Sequence, residues 1–376
     1  MLRIGISGSY GGNNLGDEAI LQGILQQLRE SLSAQVTVFS PNAEDTRTRH
    51  AVERVVAVRD LSREEVRPEV AALDLFILGG GGILYDGKTL TYMREVALAH
   101  ELGVPVFVYA VSVGPLTNPE ARKAVREGLN RAAVITVRDR GSQQLLEEIG
   151  VTAPVHVTAD PALLVGVDPA VDESLAAEGL TPSRRLIGIS VREPGEAAPH
   201  LDVRHYHQLL ANAADFMVDR YDATLVFVPM EPRVLDQQHS HAVIAGMANA
   251  PRALVLKREY SVAHVLSMMG HFEFALGMRL HFLIFAALQG VPFLALPYSN
   301  KVTGLIREFE MATPPVENLN AGLLVSYVDR AWDLRKDLRT RIATHLPRLQ
   351  ARARRTHELL LELAARVEGR AESRIA

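Results

Sequence analysis

Short apolar runs alternate with longer amphipathic segments over most of the chain. The segment after the first run carries Ile20, Ile24 and Leu28 at a four-residue spacing, which is typical of a helix with one apolar stripe. In the first half, the pattern predicts strands at residues 2–7, 35–39, 73–78, 104–111, 134–137 and 155–158. Because strands that alternate with helices pair in parallel, we expect an α/β sheet that binds ligands at the carboxyl ends of its strands.

The strand pattern is lost at residues 165–183, where Asp, Glu, Pro and Gly accumulate, so this segment is predicted to be a linker. The alternation then restarts, with strands predicted at residues 185–191, 224–228, 254–256, 272–276 and 292–295. We therefore predict two Rossmann-like domains, residues 1–170 and residues 185–345, that face each other across a cleft.

The tail, residues 346–376, is predicted to be a helix that combines a leucine-rich face with basic residues: Arg348, Arg352, Arg354, Arg355 and Arg366. One interpretation is attraction to the anionic inner surface of a membrane. The interpretation we favour is a helix that crosses back and packs on the first domain, with its arginines in solvent.

Composition excludes several classes of protein. The 376 residues are 48% hydrophobic and 22% charged, and the net charge of −4 gives no basic surface for nucleic acid. The chain has no cysteine, which excludes disulfides, a thiolate nucleophile and zinc–thiolate sites. No apolar run approaches the roughly 18 residues that span a bilayer, and the strand pattern begins at residue 2, so we expect no signal segment and a cytoplasmic protein.

The strongest candidate site is the junction at residues 277–281, Gly-Met-Arg-Leu-His, between a predicted strand and an apolar helix. Free backbone N–H groups at a helix start attract anions, and Arg279 and His281 stand at that start. Lys301 is predicted in the loop after the next strand. His281 alone could be a capping or core histidine, but together these cations predict a phosphorylated or carboxylated substrate.

Two glycine-rich loops mark the first domain. Residues 8–18 follow the first strand without a G-x-G-x-x-G fingerprint, and Asp17 and Glu18 would repel a phosphate there. We interpret this loop as a surface for a neutral, hydroxyl-rich ligand with Asp17 as a hydroxyl acceptor; the alternative is that Asp17 only caps the helix. Four glycines at residues 79–82 predict a buried, shaped turn rather than a flexible loop.

Six ordered motifs together resemble the polysaccharide pyruvyl transferases, and among them the bacterial cell-wall subtype. The motifs are residues 11–19, residues 79–82 with Asp86, and residues 112–115, 137–142, 277–281 and 301–302. The resemblance implies a GT-B-like architecture, phosphoenolpyruvate as the donor and a sugar hydroxyl pair as the acceptor. The product would be a pyruvate ketal on a polymeric or lipid-linked glycan that contains N-acetylhexosamine, made on the cytoplasmic side.

The resemblance implies that Arg138, His281 and Lys301 belong to the active site. From the chemistry of the residues, His281 is the predicted catalytic acid, and Arg138, Arg279, Lys301 and Gly277 are predicted to bind the donor. The predicted acceptor-binding residues are Asn14, Asp17, Gly80, Gly81 and Asp86. Phosphoenolpyruvate carries about three negative charges near neutral pH, which cations and a helix end can bind without a metal or other cofactor. Its methylene carbon must be protonated before a hydroxyl attacks, and the bound trianion would favour the charged form of His281.

Two alternatives stay open at this point. A glycosyltransferase of the same architecture would use a nucleotide sugar and needs an acidic ribose-binding residue, for which Glu273 and Glu308 are the candidates. A non-catalytic regulator that binds sugar phosphates would keep the cleft but would tolerate loss of the acid.

Overall fold

The computed structural model describes residues 1–12, 14–166, 174–180, 185–193, 202–231, 235–296, 300–315 and 319–375. The chain divides into two compact units. Unit 1 consists of Met1–Val165 together with Leu349–Ala376, and unit 2 is Gly166–Arg348. Each unit is built on its own parallel sheet.

Unit 1 contains eight parallel strands among the residues described. Its strands are β1 (Leu2–Ser7), β2 (Ala34–Ser40), β3 (Arg54–Ala57), β4 (Leu75–Leu78), β5 (Gly81–Leu84), β6 (Val106–Val113), β7 (Val134–Val137) and β8 (Val155–Val157). Its helices are α1 (Leu15–Ser31), α2 (Ala43–Arg49), α3 (Arg63–Ala71), α4 (Thr89–Glu101), α5 (Pro119–Asn130) and α6 (Arg140–Glu148). The sheet order is β3-β2-β1-β4-β6-β7-β8, and β5 pairs with β6 beyond the end of β4.

Unit 2 contains a five-stranded parallel sheet in the order β11-β10-β9-β12-β13. Its strands are β9 (Leu186–Ser190), β10 (Thr224–Phe227), β11 (Ala253–Val255), β12 (Phe272–Gly277) and β13 (Phe293–Ala295). Its helices are α7 (Ser174–Ala177), α8 (Val203–Tyr221), α9 (Asp236–Ala245), α10 (Val262–Met269), α11 (Leu280–Leu288), α12 (Asn300–Glu308) and α13 (Ala321–Asp333).

The cores explain why the strands read as continuous apolar runs. Every residue of β4, β6 and β9 is buried, because helices cover both faces of a parallel sheet. The apolar pattern missed β3, in which only two of four residues are buried, and it read the glycines at the start of β5 as a turn.

The last helix, α14 (Arg335–Ile375), starts in unit 2, and its residues from Leu349 onward belong to unit 1. Within unit 1 its apolar stripe is buried, and Arg352 donates a hydrogen bond of 2.8 Å to the carbonyl of Thr158. The Nε2 atom of His357 lies 2.7 Å from the hydroxyl of Ser31. The sequence predicts this helix from residue 346, but it begins at Arg335 and runs through Pro347. No helix in the described part of the chain is long and apolar enough to cross a membrane.

Candidate active site

The junction predicted between a strand and a helix is confirmed at the carboxyl end of β12. The strand ends at Gly277, Arg279 is the N-cap of α11, and His281 is the second residue of the helix. The side chain of Arg279 makes no capping hydrogen bond, so the first turn of α11 presents backbone N–H groups. His281 is half-buried there. A Cβ at Gly277 would lie 2.6 Å from the ring of Phe282, so this glycine lets α11 pack closely on β12.

Arg279 forms ion pairs with two carboxylates. Its Nε donates to an oxygen of Asp236 at 3.0 Å, and its Nη2 donates to Glu231 at 3.0 Å. Asp236 is fully buried, and the Arg279 side chain is 13% exposed. Together the three side chains have a formal charge of −1. The donor-binding role of Arg279 stays a prediction, and an anionic donor bound there would be repelled by the carboxylates of Asp236 and Glu231.

Lys301 lies in the first turn of α12, not in a loop as the sequence predicted. The reason is apolar spacing: Val302, Leu305 and Ile306 are buried on one face, which extends the helix back to Asn300. Lys301 is half-buried. Residues 297–299, which include part of the predicted loop, lie outside the described residues.

Arg138, predicted to bind the donor, follows β7 in unit 1 and is almost entirely buried. Its guanidinium forms an ion pair with Asp160, and their side chains are 5% and 6% exposed. Asp160 also accepts a hydrogen bond of 3.0 Å from the backbone of Ala162. Among the residues described, the Nε atom of Arg138 has no hydrogen-bond partner. Its charge is therefore balanced by Asp160, while one buried N–H remains for another acceptor.

The motif residues around Arg138 have structural roles. The carboxylate of Asp139 accepts hydrogen bonds from the hydroxyl of Ser112 at 2.9 Å and from the backbone of Ser142 at 2.8 Å. The hydroxyl of Ser142 in turn accepts a bond of 2.8 Å from the backbone of Val113. This network ties the end of β6 to the start of α6 and explains why residues 112–115 and 137–142 occur together.

The first glycine loop is arranged by a cap and by a buried acid. Asn14 is the N-cap of α1 and accepts from the backbone of Gly16 at 3.0 Å, so the alternative that Asp17 is the cap is wrong. Glu18 is buried, accepts a bond of 2.8 Å from the backbone of Gly11 and lies 2.8 Å from Nε2 of His50. Asp17 is half-buried in the first turn of α1.

In the second glycine loop, Gly79 and Gly80 are buried between two strands as predicted, whereas Gly81 and Gly82 already belong to β5. A Cβ at Gly79 would lie 2.0 Å from the hydroxyl of Tyr10, and one at Gly80 would lie 2.8 Å from Ile20. Gly81 has a φ of +94°, and a Cβ there would lie 3.4 Å from Oδ1 of Asp17. The structure therefore brings Gly80 and Gly81 beside the first turn of α1.

Asp86 is engaged in holding a neighbouring loop. Its carboxylate accepts hydrogen bonds from the hydroxyl of Thr117 at 2.6 Å and from the backbones of Thr117 and Asn118 at 2.8 and 3.0 Å. These bonds, that of the Thr117 hydroxyl first, lower the pKa of Asp86 below its usual range. Its role in acceptor binding stays a prediction.

A polar cluster that sequence reasoning missed lies near the carboxyl ends of β9 and β10. Nδ1 of His239 is 2.7 Å from Nε2 of His207, and Nε2 of His239 is 3.8 Å from Glu193. Burial, and then the neighbouring ring of His239, lower the pKa of His207; burial also lowers that of His239. Arg192 forms an ion pair with Glu193. The signal that could have found these groups is their position: Arg192 and Glu193 directly follow a buried strand.

Metal binding finds no support among the described residues, which contain no group of three His, Cys, Asp or Glu side chains placed to hold an ion.

Comparison with known proteins identifies both family and fold. A family model described as polysaccharide pyruvyl transferase matches residues 14–300. No curated protein sequence matches the chain. Among solved structures, UDP-GlcNAc 2-epimerase from Neisseria meningitidis, bound to UDP-GlcNAc, is 12% identical with a TM-score of 0.62 over 96% of this chain and 100% of that one.

Two further solved structures are similar at the same level. Phytolacca americana UGT2, complexed with UDP-2fluoro-glucose and pterostilbene, is 12% identical with a TM-score of 0.58 over 98% of this chain and 100% of that one. Sucrose-phosphate synthase from Thermosynechococcus elongatus is 13% identical with a TM-score of 0.60 over 97% and 100%. At these identities the likeness concerns the fold, and it confirms the predicted α/β class of two Rossmann-like units of GT-B type.

Proposed function

Because this chain belongs to the polysaccharide pyruvyl transferase family, we propose that it transfers the pyruvyl group of phosphoenolpyruvate to two hydroxyls of one sugar. The methylene carbon of the donor gains a proton and becomes a methyl group. One sugar hydroxyl then attacks the central carbon, and the second displaces phosphate from it. Both hydroxyl protons leave, and the products are a pyruvate ketal and inorganic phosphate.

The observation that carries the proposal is the family match across residues 14–300. The matched range includes the junction between β12 and α11 and, with it, His281. In the proposed mechanism the first turn of α11 binds an anionic group of the donor, and His281 delivers the proton to carbon. Lys301 lies one residue beyond the matched range, in the first turn of the next helix, where an ammonium suits the same anion.

Arg138 would contribute to donor binding through its buried Nε–H, which lacks a partner in the described residues. Its ion pair with Asp160 fixes the position of the guanidinium but also balances its charge. We therefore propose that Arg138 mainly orients the donor through a directed hydrogen bond and contributes little long-range electrostatic attraction.

The proposed acceptor is a glycan that contains N-acetylhexosamine, polymeric or linked to a lipid at the inner face of the cell membrane. The first turn of α1 and the turn at Gly80–Gly81 support a hydroxyl-binding role for unit 1. There Asp17 offers a carboxylate to sugar hydroxyls, and Asn14 and Glu18 hold the loop through backbone hydrogen bonds.

A glycosyltransferase that uses a nucleotide sugar is the second candidate, because the similar solved structures include complexes with UDP and with UDP-sugars. Its ribose would need an acid near the carboxyl ends of the strands. Glu273 is the second residue of β12, about 13 Å of strand from Gly277. It is also bound by Arg185 at 2.8 Å and Arg335 at 3.5 Å. This placement disfavours Glu273 in that role.

The test is to incubate the full chain with phosphoenolpyruvate and a set of lipid-linked N-acetylhexosamine acceptors. We expect the acceptor to gain one ketal-bound pyruvate, detected by mass spectrometry, with release of one phosphate per transfer. A parallel arm replaces the donor by UDP-sugars. Release of UDP with a hexose added to the acceptor, and no pyruvylation, would favour the glycosyltransferase instead.

A further inference from the structure

Arg279 connects three segments at the carboxyl edge of the sheet in unit 2. It is the N-cap residue of α11, and its guanidinium binds Asp236, the first residue of α9. It also binds Glu231, in the segment that follows β10. The two carboxylates lie 43 and 48 residues before Arg279 in the chain. Arg279 is therefore a tertiary crosslink placed two residues before His281.

Asp236 completes this crosslink from a fully buried position. Besides Arg279, its carboxylate accepts hydrogen bonds from the backbones of Met230 at 3.1 Å and Glu231 at 3.2 Å. A buried carboxylate with several N–H donors holds its neighbours in fixed positions, since each donor would be unfavourable to leave unpaired. The Asp236 side chain thus links the segment after β10 to the start of α11.

The charge balance argues against Arg279 as the principal ligand of an anion. Its guanidinium already has two carboxylate neighbours, so an incoming phosphate would approach a group of formal charge −1. If the guanidinium turned towards the donor, it would leave Asp236 buried and uncompensated, which is strongly unfavourable.

We propose that Arg279 is a positioning residue, which holds the first turn of α11, and with it His281, against the segment that follows β10. The inference rests on the proposed function for the role of His281. It also corrects the simplest reading of the sequence motif, in which every cation at the junction binds the donor. In this arrangement Asp236 and Glu231 belong to the same device as Arg279.

The two roles predict opposite effects when a carboxylate is neutralised. If Arg279 were a donor ligand, Asp236→Asn or Glu231→Gln would release its charge and lower the KM for phosphoenolpyruvate. If it positions His281, Asp236→Asn and Arg279→Ala each lower kcat, by about 10²-fold for a displacement near 1 Å, and KM changes less than about threefold. Glu231→Gln, on the more exposed partner, lowers kcat by a smaller factor and guards against misfolding of the buried variant.

Glu273→Gln is the matched control. It removes a carboxylate that also pairs with an arginine, but Glu273 lies within β12, away from the carboxyl edge of the sheet. We expect parental kcat and KM for it. A fall in the KM for phosphoenolpyruvate in Asp236→Asn with kcat unchanged would overturn the proposal. So would an Arg279→Ala variant that raises KM more than about tenfold at parental kcat.

Hydrogen exchange separates this proposal from the proposed function, since it needs no substrate. Amides of residues 283–285, the first whose N–H groups are bonded within α11, should exchange at least about tenfold faster in Asp236→Asn and Arg279→Ala than in the parent or in Glu273→Gln. Unchanged exchange would overturn the positioning role even in an active enzyme. If the parent never consumes phosphoenolpyruvate but the two variants exchange faster than it does, the result would support the crosslink and refute only the proposed donor.

Discussion

The docking of α14 on unit 1 should weaken in acid because of His357. Its ring is buried, with 5% of the residue exposed, and its Nε2 lies 2.7 Å from the hydroxyl of Ser31. Its Nδ1 has no partner among the residues described. Burial lowers the pKa of His357 to about 4 from an ordinary value of 6.5, while Glu30 and Glu358 oppose the shift.

The sign follows from where the proton binds. The folded state keeps His357 neutral down to about pH 4, whereas the unfolded chain takes up a proton below about pH 6.5. Stability is therefore independent of this group above pH 6.5 and is lost as pH falls through the window to 4. The lowered pKa corresponds to a loss of at most about 3 kcal/mol, and partial solvation of the charged ring reduces the expected loss to about 2 kcal/mol.

The assay compares urea unfolding of the parent and of His357→Gln at several values between pH 7.5 and 4.5. Other titrating groups affect both proteins, so the difference between their unfolding free energies isolates His357. That difference should be constant above about pH 7 and should shift by about 2 kcal/mol against the parent towards pH 4.5. A difference that stays within about 0.5 kcal/mol over the whole range would refute the reasoning.

Four further predictions concern the active site. His281→Gln should lower kcat by about 10²–10⁴-fold with the KM for phosphoenolpyruvate nearly unchanged, because glutamine keeps a hydrogen-bond donor but delivers no proton; near-parental turnover in steady-state assays would end its role as acid. Lys301→Ala should weaken donor binding by about 1.5–3 kcal/mol in calorimetry, and equal affinity would remove Lys301 from the site. Arg138→Ala should lower unfolding stability by about 3–5 kcal/mol, since the buried carboxylate of Asp160 loses its arginine, and adding Asp160→Asn should restore part of it; purely additive losses in denaturant titrations would contradict the buried pair. Turnover should survive excess EDTA, and a loss that magnesium restores would favour the nucleotide-sugar reaction.

The sequence predicted the elements of this fold well where the pattern was local. The junction at His281 was predictable because a buried strand and an apolar helix flank it directly. The strand β3 was missed because only Val55 and Val56 are buried in it, too few to give a pattern. Lys301 follows the polar residues Ser299 and Asn300, a sequence context that favours a loop, whereas the burial of Val302, Leu305 and Ile306 extends the helix back over it.

The partners of the site residues were beyond the reach of sequence patterning. Nothing within α11 indicates that Arg279 binds Asp236, 43 residues earlier, or that Arg138 binds Asp160 across the ends of two strands. A motif shows which residue types recur at a strand end. It does not show which of their charges are already balanced, because that depends on tertiary contacts between segments far apart in the chain.

The division of the chain has a consequence for the order in which the protein can be made. Residues Gly166–Arg348 form unit 2 as one continuous stretch, whereas unit 1 needs Leu349–Ala376 in addition to Met1–Val165. During synthesis from the amino terminus, unit 2 can complete its core before the last segment has left the ribosome. Until then Ser31 on α1 lacks its contact with His357, and the carbonyl of Thr158 lacks its hydrogen bond from Arg352. The apolar side chains beneath α14 stay exposed to solvent. The first unit to be translated is the last to be finished.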